Sequence, residues 1–370
     1  MNESGPPPAA ADADTVEPLE PGAPTQVSLP QRLRQPRTII SIALPLVLVV
    51  LVFRVVLQVD FGQLGDLVLA ANPAALLAAL AIYYLGFPLR GYRWGLLLRG
   101  TGFSLRTKDA SELIFLSWLV NCLVPAKLGD VYRAYLLRLN YVVSLSRTFG
   151  TVFLERILDL FGIAILALGS GYWSFRANLP PEVQVLLGIG VAVIVLLAAG
   201  LFTLRNFGRR LLALLPLPQR VSELYDRFEE GVFNSIGVRQ LPRLGVLTGL
   251  VWGTEAARLW LVIAALGFTD VHLGISGTFF VALAASLLTA IPFTPAGVGV
   301  VEAGVVGILT VIYSVDATSA AAIALVDRAI SVLSIIVFGG LLYAVSAKVR
   351  GRGGDRVAAA GPVGGDRAAG

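Results

Sequence analysis

Two arginines carry the sharpest chemical signal in this chain of 370 residues. Arg156 follows Glu155 and precedes Asp159, and Arg328 follows Asp327; both arginines lie inside long apolar runs. A charged side chain at the middle of a membrane helix costs roughly 2.5 to 3.5 kcal/mol on insertion scales, so pairing, water or a ligand must offset it. Such an arginine either locks helices together through the neighbouring carboxylates or grips the polar head of a substrate. Glu155, Asp159, Glu302 and Asp327 are the acids that could carry a coupling proton or complete those ion pairs. Arg90 and Arg93, about two turns from the end of another apolar run, are head-group ligands or snorkel to the membrane edge.

Two broken stretches frame these residues. One runs from Asn121 to Arg133 and contains Pro125, Ala126, Lys127, Gly129 and Asp130. The other runs from Ile291 to Glu302 and contains Pro295, Ala296, Gly297 and Gly299. Both read Pro-Ala-x-x-Gly between hydrophobic segments. A break frees backbone N–H groups, and the half-helix after it presents them with the positive end of its dipole, which favours phosphate or carboxylate. Lys127 adds a mobile positive charge, and the glycines allow close approach of the backbone to a ligand. Asn121 is placed to satisfy loose backbone groups. Pro and Gly also serve a bend for geometry alone, and Glu302 either complements the helix dipole or carries a proton.

Composition fixes the setting for this chemistry. Hydrophobic residues make up 56% of the chain and charged residues only 14%, against about 25% charged in soluble domains; the mean hydropathy is +0.78. Several runs reach the roughly 20 apolar residues that cross a bilayer as helix. The fold class is therefore all-α, a polytopic integral membrane protein. A lone cysteine, Cys122, and a lone histidine, His272, exclude an intrachain disulfide and a two-histidine zinc site, and make a Ser-His-Asp triad improbable. No catalytic residues, metal site or cofactor are expected, and no Walker A motif is present. The net charge of +5 gathers at span edges, which speaks for topology and anionic lipid and against nucleic acid.

The elements that must position the site follow from hydropathy and positive charge. Residues 1–37 form a disordered tail, and Arg32, Arg34 and Arg37 place it in the cytoplasm ahead of a span from Ile39 to Leu57. Full spans follow from Pro73 to Leu98, Phe149 to Trp173, Val183 to Leu204, Leu244 to Leu266 and Ala317 to Ala347, about six in all. Residues 109–140 and 274–314 are each too interrupted for a span, and each is expected as a re-entrant helical hairpin, the first entering from the cytoplasm and the second from outside. Residues 206–242 form an amphipathic cytoplasmic segment, and 348–370 a second disordered, cytoplasmic tail. The membrane domain is 38–347. Arg90 and Arg258, Pro125 and Pro295, Gly129 and Gly299, and Glu155-Arg156 and Asp327-Arg328 recur in the same order at an offset close to 170. Halves at about 73–173 and 244–346 thus read as an inverted repeat, which with broken helices is a transporter signature.

Taken together, Arg90 and Arg93, Asn121 through Pro125 to Gly129-Asp130 and Arg133, Glu155-Arg156-x-x-Asp159, Pro295-Ala296-Gly297-Val298-Gly299-x-x-Glu302 and Asp327-Arg328 resemble the membrane (flippase) domain of lysylphosphatidylglycerol synthases, over about residues 38 to 347. Gly129-Asp130 stands where that family often has Gly-Glu, and the soluble aminoacyl-transferase domain of the full-length synthases has no counterpart after residue 347. The resemblance implies lipid translocation without aminoacylation, by a stand-alone member in the cytoplasmic membrane. The expected cargo is a lipid with an anionic or polar head group: a phospholipid, an aminoacyl-lipid or a polyprenyl-linked lipid. The expected protein partners are a second copy of the chain or a separate lipid-modifying enzyme. A membrane-embedded transferase using a polyprenyl-phosphate donor is the alternative. Substrate contacts are expected from Arg90, Arg93, Asn121, Lys127, Gly129, Asp130, Arg133, Arg156, Arg258, Gly297, Gly299 and Arg328.

Overall fold

The computed structural model describes residues 60–124, 127–214, 218–268, 271, 273–289 and 294–351. The expected first span, the N-terminal tail, residues 352–370, Pro125 and His272 lie outside these residues; the first residues of the expected C-terminal tail are described and ordered, with Lys348 buried and paired to Asp109 and Glu112. Among the described residues there is no strand. The helices are α1 (Phe61–Ala70), α2 (Pro73–Gly100), α3 (Thr107–Leu123), α4 (Leu128–Asn140), α5 (Leu145–Phe175), α6 (Pro181–Ala213), α7 (Gln219–Phe233), α8 (Leu241–Ala265), α9 (Gly274–Leu288), α10 (Val300–Val311) and α11 (Ala317–Val345). By length and composition four of them can cross a bilayer: α2, α6 over Pro181–Arg210, α8 and α11.

Local chemistry sets several of the helix starts. Asp60 Oδ1 accepts from Gly62 N at 2.8 Å, Asn72 Oδ1 from Ala74 N at 2.9 Å, and Asp316 Oδ1 from Ser319 N at 2.9 Å. Each satisfies a backbone donor that the first helical turn leaves free. Pro73 and Pro181 follow their caps, where a missing N–H costs nothing. α11 contains one π turn, Ala329–Leu333, and the Tyr83 hydroxyl donates to the Ser331 carbonyl within it at 2.9 Å.

The helices contact one another in an order that survives exchanging the two halves. α2 and α8, the arginine-bearing spans, pack along each other. α3 contacts α2, α4 and α11, just as α9 contacts α8, α10 and α5; α4 meets α5 as α10 meets α11. The first arm of each half therefore lies against the closing helix of the other half. At each break a non-glycine residue takes left-handed geometry, Lys127 at φ 51° and Ala296 at φ 52°. Such conformations cost on the order of 1 kcal/mol each and persist only where their surroundings enforce them.

α6 faces outward for most of its length, with Val185, Ile189, Val195, Leu196 and Phe202 exposed, as a lipid-facing helix requires. α7 clamps onto α5 where Gly150 and Gly231 meet: a Cβ on Gly231 would lie 2.1 Å from the Arg147 carbonyl oxygen. Arg147 pairs with Glu230 at 2.8 Å beside that contact.

Candidate functional site

Each half builds the same chain of ion pairs. In the first, Arg156 on α5 holds Asp130, in the opening turn of α4, through two hydrogen bonds of 2.6 and 2.8 Å. Glu155, the residue before it, faces Arg93 on α2 at 3.2 Å and Arg133 on α4 at 2.8 Å. In the second, Arg328 on α11 holds Glu302, in the opening turn of α10, at 2.9 Å, and Asp327 holds Arg258 on α8 through bonds of 2.8 and 3.0 Å. The closing helix thus sends its arginine to the broken arm and its carboxylate back to the opening span. Arginine and arm carboxylate are 26 residues apart in both halves.

The two chains meet through α2 and α8. Arg90 donates to Glu255 at 2.6 Å, and the other oxygen of Glu255 accepts from Arg258. Arg93 crosses to Thr248 on α8 at 3.0 Å and pairs with Asp159 at 2.6 Å. Arg90 and Arg93 are buried, at 4% and 0% exposure, so neither snorkels to the membrane edge. Pairing makes this burial tolerable, and aromatic faces help at Arg90, where Trp118 lies 4.8 Å from the guanidinium, and at buried Arg133, where Trp94 lies 4.6 Å away.

The breaks are tied into this network. Asn121 Oδ1 accepts from Gly129 N at 2.8 Å, so the last turn of α3 caps the first of α4. A side chain at 129 has no room, because its Cβ would lie 2.0 Å from the Ser117 carbonyl oxygen. In the second break Glu302 Oε2 accepts from Gly299 N at 2.7 Å, and Arg328 donates to the Ala296 carbonyl at 2.5 Å. Gly297 and Gly299 take φ of 70° and 92°, which the turn needs and glycine supplies. Glu302 therefore complements the helix start and anchors Arg328 at once.

Between the breaks lies a cavity of about 340 Å³. Its lining combines the charged residues Lys127, Arg156, Asp159, Glu255, Arg258, Asp327 and Arg328 with the apolar residues Leu160, Ile163, Trp252, Val301 and Val305. Asn121 and Gly297 reach the wall as well. Of the remaining sequence-expected ligands, Arg90, Arg93, Gly129, Asp130, Arg133, Glu155, Gly299 and Glu302 stand behind the wall, as partners of lining residues, in the ion-pair network or as the backbone of the breaks. Glu255 belongs to the site but was not among the expected ligands. Its signal was present: at i,i+3 from Arg258 it shares that helix face. Trp118 and Trp252 also stand on the cavity wall.

The family model of the lysylphosphatidylglycerol synthase TM region matches residues 39–339. The chain belongs to that family. The chain is similar to a UPF0104 membrane protein of Methanocaldococcus jannaschii, 35% identical over 224 residues, 60% of this chain and 92% of the relative. A UPF0104 membrane protein of Pyrococcus horikoshii is 22% identical over 76% of this chain and 90% of its own length. Glycosyltransferase AglD of Haloferax volcanii is 25% identical over 76% of this chain, which spans only 50% of AglD. The family and the apolar helices together make the protein a multi-pass membrane protein.

Proposed function

We propose that this protein moves a lipid with an anionic or polar head group between the leaflets of the cytoplasmic membrane, with both termini in the cytoplasm and α3–α4 and α9–α10 as re-entrant hairpins. The observation that carries the reading is the cavity shared by the two breaks. Its lining offers both charged and apolar side chains, which an amphipathic cargo requires, and it lies where two halves related by exchange meet, the usual place for a transporter site. The carboxylates that could carry a coupling proton, Glu155, Asp159, Glu302 and Asp327, are all held by arginines; protonating any of them would release an arginine into the network. A second copy of the chain or a lipid-modifying enzyme would supply or receive the cargo.

The test is reconstitution. Purified protein in liposomes should accelerate exchange of tail-labelled phospholipid between leaflets, and Arg156→Ala or Arg328→Ala should remove the activity while the protein stays folded and monodisperse. The relative named a glycosyltransferase favours a second reading, a membrane-embedded transferase. Transfer of sugar from a polyprenyl-phosphate donor by the purified chain, without lipid movement, would establish that reading and discard the first.

A further inference from the structure

Charge counting within the network separates head-group classes. Seven cations belong to it: Arg90, Arg93, Lys127, Arg133, Arg156, Arg258 and Arg328. Six carboxylates oppose them: Asp130, Glu155, Asp159, Glu255, Glu302 and Asp327. The difference is +1. All six arginines make ion pairs. Lys127 makes none among the described residues, although it lines the cavity. Its left-handed backbone sets it at the head of α4, at the positive end of that helix, where Asn121 caps only the Gly129 N–H. Trp252 and Ser331, which also line the cavity, are nine-tenths buried, and the Trp252 indole N–H and the Ser331 hydroxyl have no partner among the described residues. A cavity lined by one cation without an ion pair and by two residues with unpartnered donors leaves a single positive charge for an anion to neutralise.

We propose that the cavity selects a lipid phosphodiester of net charge −1, held at Lys127, and that it rejects aminoacylated head groups, whose added ammonium would meet the surplus positive charge. This rests on the lipid-transport reading and narrows it. The cavity side of the chain also supplies the probe, because Cys122, the chain's one cysteine, lies on the same wall.

The experiment uses the full-length protein in two formats. In proteoliposomes, leaflet exchange is followed for tail-labelled phosphatidylglycerol, phosphatidylcholine and lysyl-phosphatidylglycerol, with charges −1, 0 and +1. In detergent, protection of Cys122 from a maleimide is followed with the same lipids and with inorganic phosphate. Phosphatidylglycerol should move and protect on the order of tenfold better than the other two, Lys127→Gln should erase that preference, and Lys127→Arg should retain it. Inorganic phosphate protecting as well as the lipid would assign the anion site to a free phosphate and overturn the lipid-head assignment. Equal movement of all three lipids would overturn the selectivity and leave transport standing. No movement of any lipid would remove the transport reading, and the Cys122 protection series would still decide the charge preference.

Discussion

Asp130 competes with any anion for Arg156, so neutralising it should separate two effects that a deletion of the arginine would merge. In Asp130→Asn the bidentate contact of 2.6 and 2.8 Å is reduced to a neutral one, and Asp159, 3.8 Å from Arg156, remains as its carboxylate partner. Two unit charges about 4 Å apart attract by about 4 kcal/mol at an effective dielectric of 20. Arg156 keeps 30% of its side chain exposed, so water screens part of this, and the freed desolvation of Asp130 returns more. A net loss of about 2 kcal/mol is expected, seen as a fall of about 4 °C or more in the unfolding midpoint in detergent. The double variant Asp130→Asn/Arg156→Gln should be no less stable than the sum of its parts predicts, with a coupling of about 2 kcal/mol. Protection of Cys122 by phosphatidylglycerol should move the opposite way. With the network raised from +1 to +2 and a guanidinium released, affinity should rise about tenfold, or 1.4 kcal/mol. A stable Asp130→Asn protein that binds the anionic lipid more weakly would refute the reasoning, because the carboxylate would then be acting for the ligand and not against it.

Two further outcomes test the frame around the site. Gly129→Ala should destabilise by about 3 kcal/mol, because both atoms nearest its new Cβ, the Ser117 carbonyl oxygen at 2.0 Å and the Asn121 amide at 2.6 Å, belong to the α3–α4 junction; Gly188→Ala on outward-facing α6, with nothing within 4 Å of its Cβ, should be neutral or stabilising by up to about 1 kcal/mol, and thermal unfolding of the two variants reads the contrast. Beyond the end of α11, Lys348 donates to Asp109 and Glu112 at 2.7 Å each, with its own carbonyl accepting from Asn140 at 2.8 Å. Burial favours its neutral form, but those two carboxylates outweigh burial and hold its pKa above the ordinary 10.5. The stabilisation is therefore complete below pH 10.5 and is lost as pH rises through the higher folded value; Lys348→Met should lower the midpoint at neutral pH and flatten its alkaline decline.

The charged residues of the site stood out in the sequence because apolar surroundings expose them, and the breaks because Pro and Gly interrupt helical runs. The partners were harder to read, for a geometric reason. Glu155 and Arg156, like Asp327 and Arg328, are neighbours in the chain, and adjacent residues on a helix point about 100° apart and cannot face each other. Each takes its closest counterion from a different helix, and which helix depends on packing that periodicity does not carry. Arg90 and Arg93 illustrate the same point: their distance from a span edge permits snorkelling, and only the packing of α2 along α8 turns them inward. One long-range clue did lie in the chain. Asp130 precedes Arg156 by the same 26 residues as Glu302 precedes Arg328. Aligning the glycines of the breaks, at an offset of 170, sets Asp130 against Val300 and hides the match. The halves have drifted in register at the break while the spacing from arm carboxylate to arginine has stayed fixed. What the repeat preserves is thus the wiring between a broken arm and its closing helix, and through that wiring Arg156 and Arg328 both line the same cavity.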